Sequence, residues 1–205
     1  MIETPMVEEA STPGSFYVGA AYGMANLEST NSYDYLDGTF TDTVGDFDYD
    51  TVMLQAGYKF NQYIAIEGRY WFGMGEDIGA TYDANGNQVD SDYALNIDTW
   101  AIYAKPMYPV TEQFDIYGLL GYASTEVKRS YSDSRTYTPG YDMDGFSWGL
   151  GGAYAFTENV AIFVDYVNMY DDSNTFNGET YNGTAFTANT DDVLSTVNFG
   201  VTYTF

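Results

Sequence analysis

The sequence predicts an all-β protein, an eight-stranded antiparallel up-and-down transmembrane β-barrel. Apolar and polar residues alternate in eight segments of about nine to eleven residues, the length that a tilted strand needs to cross a bilayer. The 205 residues include 22 Tyr, 13 Phe and 3 Trp but only 5 Pro, which favours strands. No apolar run exceeds five residues, so a helical membrane protein is excluded.

Each segment divides into an apolar and a polar face. In chain order, the apolar faces are Phe16, Val18, Ala20, Tyr22 and Met24; Val52, Leu54, Ala56, Tyr58 and Phe60; Ile64, Ile66, Tyr70 and Phe72; Trp100, Ile102, Ala104 and Tyr108; Phe114, Ile116, Leu120 and Tyr122; Phe146, Trp148, Leu150, Tyr154 and Phe156; Val160, Ile162, Val164 and Tyr166; and Val193, Val197, Phe199, Val201, Tyr203 and Phe205. None of these positions carries a charge. We predict that these faces contact lipid, and that the first and last segments pair to close the barrel.

The connections between segments alternate between short and long. Three are tight turns, at 61–62, 109–113 and 157–159, and four are long polar loops, at 27–47, 75–94, 128–143 and 171–190. Outer-membrane barrels have short periplasmic turns and longer external loops, so we expect both termini to be periplasmic. Asn85-Gly86 and Asn182-Gly183 are signals for the tips of type I′ hairpins inside two of the long loops, so we expect those two loops to extend the barrel as hairpins above the membrane.

Two further positions carry expectations about the chain. Pro106 cannot donate a ladder hydrogen bond, which predicts a bulge or an early strand end there. Residues 1–13 are acidic and polar and contain no secretory signal, although an exported protein needs one. We expect the numbering to start near the mature end and residues 1–13 to be a flexible periplasmic leader, preceding a barrel that spans 14–205. The alternative is a protein that was never exported.

Charged residues on the polar faces predict a network inside the lumen. Three basic residues and three acidic residues fall at positions that point inward: Lys59, Glu67, Arg69, Lys105, Asp115 and Asp165. Because unpaired buried charges cost several kcal/mol, we expect these six to form ion pairs. A structural plug is the favoured interpretation, ahead of a gated ion path or a binding site.

The loops are strongly acidic. The formal net charge is −24, and most of the 30 acidic residues lie in or beside the four loops. This disfavours nucleic acid as a partner and favours divalent cations, Ca²⁺ or Mg²⁺, which prefer oxygen ligands. Asp83, Asn85, Asn87 and Asp90 space their oxygens as calcium loops do, but the glycine position and terminal Glu of an EF-hand are missing. Solvated loops are the alternative, and no other cofactor is indicated.

The chain contains neither histidine nor cysteine. This removes the commonest general base, the Ser-His-Asp triad and thiol chemistry. The palmitoyl transferases and omptin proteases of the outer membrane rely on histidine-containing sites, so a resemblance to them fails. We predict that the protein is not an enzyme.

Several segments resemble the small OmpA-type eight-stranded outer-membrane barrels. They are FYVGAAYG at 16–23, QAGYKF at 55–60, YGLLGYA at 117–123, GLGGAYAFTENVAIFVDY at 149–166 and NFGVTYTF at 198–205. The resemblance implies a bacterial outer-membrane location, contact with lipid and lipopolysaccharide, and recognition of the terminal Phe199, Val201, Tyr203 and Phe205 by the barrel assembly machinery. The peptidoglycan-binding domain of full-length OmpA proteins is missing from this chain, so a cell-wall role is not implied.

These observations favour a rigid barrel whose acidic loops contact ions, lipopolysaccharide, phage or other cells. One alternative is a narrow pore, because seven inward glycines leave some space: Gly19, Gly23, Gly57, Gly121, Gly149, Gly151 and Gly200. The other is a soluble lipocalin-like binder of an apolar ligand, which would have to place the six charges in its cavity.

Overall fold

The structure, a computed structural model, describes residues 14–35, 38–74, 76–77, 81–82, 88–89, 93–131, 141–179 and 185–205. Eight long strands make up most of this part of the chain. They are β1 (Ser15–Tyr35), β2 (Gly38–Asn61), β3 (Ile64–Gly73), β4 (Tyr93–Pro109), β5 (Phe114–Tyr131), β6 (Tyr141–Ala155), β7 (Val160–Glu179) and β8 (Ala185–Thr204). Three two-residue strands, Glu76–Asp77, Thr81–Tyr82 and Gln88–Val89, lie between β3 and β4.

The eight strands form one closed antiparallel barrel. Each strand pairs with its neighbours in sequence, and β1 pairs with β8, from Tyr17 opposite Thr204 to Tyr35 opposite Phe186. At the lower end of this seam the backbone N–H of Phe205 donates to the carbonyl oxygen of Phe16 at 3.0 Å. The predicted closure between the first and last segments is therefore confirmed. No helix in the described part of the chain is long and apolar enough to cross a membrane.

The two faces of the wall are placed as the alternation predicts. Leu120 is 52 % exposed and its neighbour Leu119 is fully buried, because successive side chains of a strand point to opposite faces. Aromatic residues form two girdles around the exposed apolar belt, as is typical of outer-membrane barrels. The girdle near the short turns contains Phe16, Phe60, Tyr108, Phe114, Phe156 and Phe205, and the girdle near the long connections contains Tyr22, Phe72, Trp100, Tyr122, Phe146 and Tyr166.

The three tight turns lie at one end of the barrel, which we call the turn end. In each turn one polar side chain, Asn61, Thr111 or Thr157, accepts hydrogen bonds from the backbone N–H groups two and three residues further along. Side-chain oxygens of Asn and Thr commonly stabilise turns in this way. The short connections therefore keep their backbone donors paired without a longer loop.

The opposite end, which we call the loop end, differs from the sequence prediction. Residues 27–35 and 38–47, predicted as loop, continue as the paired strands β1 and β2, and only 36–37 separate them. The hairpin expected in 171–190 is confirmed, since β7 and β8 pair as far as Glu179 opposite Ala185. The prediction of 27–47 as a loop was wrong because polar strands beyond the membrane have no apolar face to reveal them. The predicted tips Asn85-Gly86 and Asn182-Gly183 lie outside the described residues.

Irregularities in the ladder also differ from expectation. Pro106 causes neither a bulge nor a strand end: β4 continues to Pro109, and only the pairing of Lys105 and Pro106 with β5 is interrupted, without a change of register. The pairing of β4 with β5 is therefore interrupted only locally, and its register is unchanged. Register shifts lie at other places: Met169 is an extra residue in β7 relative to β8, Phe60 is an extra residue in β2 relative to β3, and Val44 is an extra residue in β2 relative to β1.

The assignment of the two faces can be tested with one charge. We expect Leu120→Arg to lower the free energy of unfolding by about 2–4 kcal/mol, because it places a cation in the middle of the apolar belt. Equilibrium unfolding by urea in lipid vesicles measures the change. Glu158→Arg, in an exposed turn, is the control and should change stability little. A neutral Leu120→Arg would show that the faces are reversed.

Candidate functional site in the lumen

The lumen is crossed by a network of buried charges. On β3, Glu67 and Arg69 are two residues apart and therefore both point inward, and the Arg69 Nε donates to Glu67 Oε1 at 2.6 Å. The second oxygen of Glu67 accepts from Lys105 Nζ at 2.8 Å and from the Tyr17 hydroxyl. One carboxylate thus joins β1, β3 and β4 across the barrel.

Arg69 connects this carboxylate to a second one on the far wall. Its Nη2 donates to Asp165 Oδ2 on β7 at 2.8 Å, and both side chains are fully buried. Asp165 also accepts from the Tyr117 hydroxyl at 2.8 Å and from Asn198 Nδ2 at 2.9 Å. Hydrogen bonds of this kind satisfy the remaining lone pairs of a buried carboxylate, which a buried ion pair requires.

A further link extends the network to β8. Asn198 Oδ1 accepts from Trp71 Nε1 at 2.9 Å, so the carboxamide is fixed between the indole and Asp165. The Lys105 ammonium lies 4.0 Å from the centre of the Tyr117 ring, and the Arg69 guanidinium lies 5.9 Å from the ring of Trp71. These aromatic faces add favourable cation–π contacts to the network.

Four of the six residues predicted for the network meet in the lumen, and the other two do not join them. Lys59 and Asp115 are half-buried at the turn end, and in the described part of the chain neither forms an ion pair within 4.0 Å. Lys59 Nζ lies 5.7 Å from the centre of the Tyr17 ring. The side chains of Lys59 and Asp115 line a cavity of about 80 Å³ that opens at this end. The network is therefore neutral with two charges of each sign.

Sequence reasoning missed the neutral partners Tyr17, Trp71, Tyr117 and Asn198. All four alternate with the apolar positions of their segments and so fall on the polar, inward faces, which is the signal that the sequence offers. A tyrosine or asparagine on such a face is also compatible with simple packing. Its hydrogen-bond partner depends on which strands face each other across the lumen, which the alternation does not specify.

Several of the inward glycines lie beside large aromatic side chains. An added Cβ at Gly57 would lie against the Tyr17 ring, at Gly151 against the Tyr117 ring, and at Gly200 against the ring of Phe163. The glycines thus make room for large aromatic side chains, two of which hydrogen-bond to the network. Eight strands enclose a lumen just wide enough for side chains, and here these rings fill much of it.

A second polar layer lies between the network and the loop end. The Tyr103 hydroxyl and Ser147 Oγ share a hydrogen bond of 2.9 Å, and Ser147 Oγ donates to the backbone oxygen of Asn168 at 2.6 Å. Thr99 and Thr125 share another of 2.8 Å between β4 and β5. Asn168 Oδ1 is buried without a hydrogen-bond partner.

The outer surface carries a different electrostatic feature above the apolar belt. Seven acidic residues on β1, β2, β4, β5 and β6 share the outward face with the lipid-facing residues, and we call them the acidic collar: Glu28, Asp48, Asp50, Asp98, Glu126, Asp142 and Asp144. Asp98, Glu126 and Asp142 are in register on three neighbouring strands. Among the described residues no group of three potential ligands is arranged to hold a metal ion. The calcium candidate Asp83, Asn85, Asn87 and Asp90 lies outside these residues.

Truncation of Arg69 tests the network. We expect Arg69→Ala to lower the unfolding free energy by about 3–5 kcal/mol, because it leaves Glu67 and Asp165 buried with one cation between them. Lys59→Ala is the matched control, and its effect should stay within about 0.5 kcal/mol because Lys59 has no ion pair in the described structure. Urea unfolding in lipid vesicles compares the two. Equal costs would mean that the ion pairs contribute nothing specific.

Solved structures of known proteins share the barrel fold of this chain. One crystal structure of similar fold is that of Ail, the attachment invasion locus protein of Yersinia pestis, in complex with the heparin analogue sucrose octasulfate; it has 16 % identity and a TM-score of 0.58, and the match covers 95 % of this chain and 100 % of that chain. The outer membrane protein OprG of Pseudomonas aeruginosa has 15 % identity and a TM-score of 0.59, with 95 % of this chain and 97 % of that chain covered. The outer membrane protease OmpT of Escherichia coli has 12 % identity and a TM-score of 0.50, with 96 % of this chain and 98 % of that chain covered.

At these identities the likeness concerns the fold alone. No curated protein matches the chain. A family model, described as the outer membrane protein beta-barrel domain, matches residues 5–205, which is nearly the whole sequence. The protein therefore belongs to the outer membrane protein beta-barrel domain family.

Proposed function

We propose that this protein is a surface-interaction barrel of the bacterial outer membrane, with both termini in the periplasm and a lumen that serves as a structural plug. The observation that carries the proposal is the buried network of Glu67, Arg69, Lys105 and Asp165, which ties six strands together across the lumen. With the interior occupied by paired charges and aromatic rings, the accessible chemistry lies on the outer surface.

The acidic collar is the part of that surface with a definite chemical preference. Asp98, Glu126 and Asp142 lie directly opposite one another on neighbouring strands. A row of carboxylates on one face creates a negative surface potential, which attracts cations. The collar therefore favours cations at the level where the headgroups of the outer leaflet would surround the barrel.

Divalent cations that bridge to lipopolysaccharide phosphates fit this arrangement. Mg²⁺ is commonly bound by one or two carboxylates together with phosphate oxygens, so the protein need not supply a complete set of ligands. The described residues include no three-ligand metal group, which accords with a shared site rather than a site made by protein alone. Ca²⁺ or Mg²⁺ would thus attach the barrel to the anionic lipid around it.

The charge and the composition of this chain bear on whether it shares the ligand of Ail or the activity of OmpT. Ail was solved with a polyanion, a heparin analogue, but the acidic collar would repel a polyanion unless divalent ions intervened. OmpT is a protease, whereas this chain has no histidine to serve as general base. We therefore propose that the barrel performs no catalysis.

A narrow pore is the second candidate, supported by the cavity at the turn end that reaches Lys105. Planar bilayer recording distinguishes the two candidates. We expect the wild-type protein to give no stepwise conductance above the bare bilayer, because the network and the aromatic rings block the lumen. A general porin inserted in the same bilayers is the positive control. Reproducible conductance steps from the wild-type barrel would establish the pore and contradict the plug.

Divalent bridging predicts an effect of Mg²⁺ that depends on both lipid and collar. In vesicles containing lipopolysaccharide, Mg²⁺ should raise the unfolding free energy of the wild type by about 1–2 kcal/mol relative to chelator, because bound ions stabilise the folded state. Removing the collar charges with D98N, E126Q and D142N should abolish most of this increase. Urea unfolding with Mg²⁺ or EDTA is the measurement.

The control removes three acidic charges at the turn end with E112Q, D115N and E158Q. This variant should keep the full response to Mg²⁺, since the outer leaflet does not contact the turns. Vesicles of phosphatidylcholine alone should show little response with any variant. If the collar variant and the control responded equally, the bridging proposal would be wrong, although the plugged barrel would stand.

A further inference from the structure

The wall of the barrel has a gap at the loop end between β6 and β7. Their pairing runs from Ala155 opposite Ala161 to Trp148 opposite Asn168, and the described residues beyond that point form no further β6–β7 pairs. β6 continues upward paired with β5 as far as Tyr141, and β7 continues paired with β8 as far as Glu179. The two strands therefore separate just above the apolar belt.

The bulge in β7 explains where they separate. Met169 is an extra residue relative to β8, and the four residues 167–170 are all buried, so the alternation of faces is broken at this point. Ser147 Oγ donates to the Asn168 backbone oxygen at 2.6 Å, so a side chain bonds the last carbonyl at the edge of the gap. The gap is thus built by specific residues.

A groove of about 360 Å³ occupies this gap. It is lined by Asp144, Gly145, Phe146, Trp148, Asn168, Tyr170, Asp171 and Asp172. Asn168 is 4 % exposed, and its Oδ1 has no hydrogen-bond partner. A Cβ added at Gly145 would meet no atom within 4 Å, so the space beside this glycine is empty. The groove therefore combines aromatic walls, carboxylates and an unused acceptor.

We propose that this groove binds a small organic cation, an amine carried on an aromatic or short alkyl body. Three carboxylates and the Asn168 oxygen all accept hydrogen bonds, and an ammonium group supplies only donors. The rings of Phe146, Trp148 and Tyr170 suit the apolar body, and aromatic faces also attract cations. A metal ion would leave these three rings without a role in binding.

The size and position of the groove agree with such a ligand. Its volume lies at the lower end of the range of about 300–1,000 Å³ that is typical of small-molecule pockets. Phe146 belongs to the upper aromatic girdle and Asp171 and Asp172 are exposed above it, so the groove spans the boundary between apolar and aqueous surroundings. An amphipathic amine would place its body against the girdle and its charge among the carboxylates.

Calorimetric titration of the barrel in phosphatidylcholine nanodiscs, with EDTA present, tests the proposal. The probe is 2-phenylethylamine, and 2-phenylethanol is its uncharged counterpart. We expect saturable binding of the amine to one site per barrel and at least about tenfold weaker binding of the alcohol, because the carboxylates recognise the charge. Equal binding of amine and alcohol, or no saturable binding of either, would overturn the proposal.

Two variants locate the site. Gly145→Leu should abolish amine binding by filling the groove, and the empty space beside Gly145 allows the side chain without a clash at its Cβ. D171N combined with D172N should weaken binding about tenfold. The matched controls are Gly68→Leu on the lipid face of β3 and D48N combined with D50N on β2, both across the barrel from the groove, and both should leave binding unchanged. Unchanged binding by Gly145→Leu would place the amine elsewhere and refute the proposed site.

Discussion

Lipid offers no hydrogen-bond partner to the backbone, so every N–H and C=O group inside the membrane must be paired within the protein. For strands this requires closure, and the pairing of β1 with β8 provides it. The remaining features of the membrane-spanning part follow from closure. An eight-stranded ring has one apolar face toward lipid and encloses a lumen just wide enough for side chains, so charges in its middle are buried. The carboxylates Glu67 and Asp165 must therefore find their partners across the barrel, and they do so through Arg69.

Outside the membrane, the backbone need not be paired within the protein, so neighbouring strands of the barrel can separate. Above the apolar belt, water can satisfy the backbone, and there β6 and β7 separate while β1, β2, β7 and β8 extend as polar hairpins. The upper edge of the apolar belt also separates two groups of acidic residues. Within the belt they are buried and paired with cations, whereas above it they crowd on the outer face as the acidic collar. The acidic collar and the groove between β6 and β7 both lie above the apolar belt.

The alternation of side chains was enough to predict eight strands, their closure and the face on which each residue lies. It also placed Glu67 and Arg69 together, since residues two apart on one strand share a face. Alternation did not predict which charges meet across the lumen, because that depends on register and depth. Lys59 and Asp115 point inward as expected but lie too near the turn end to join. Strand ends and the bulge at Met169 were missed because both lie where the apolar pattern stops.

Hydrogen exchange of the barrel in lipid nanodiscs tests closure most directly. In a closed barrel, the backbone amides at the β1–β8 seam, between Tyr17 and Met24 and between Val197 and Thr204, should be protected as strongly as those between β2 and β3. Amides of β6 above Trp148 that face the gap should exchange much faster. Rapid exchange along the seam, with protection elsewhere in the belt, would show an open sheet and contradict the structure on which every proposal rests.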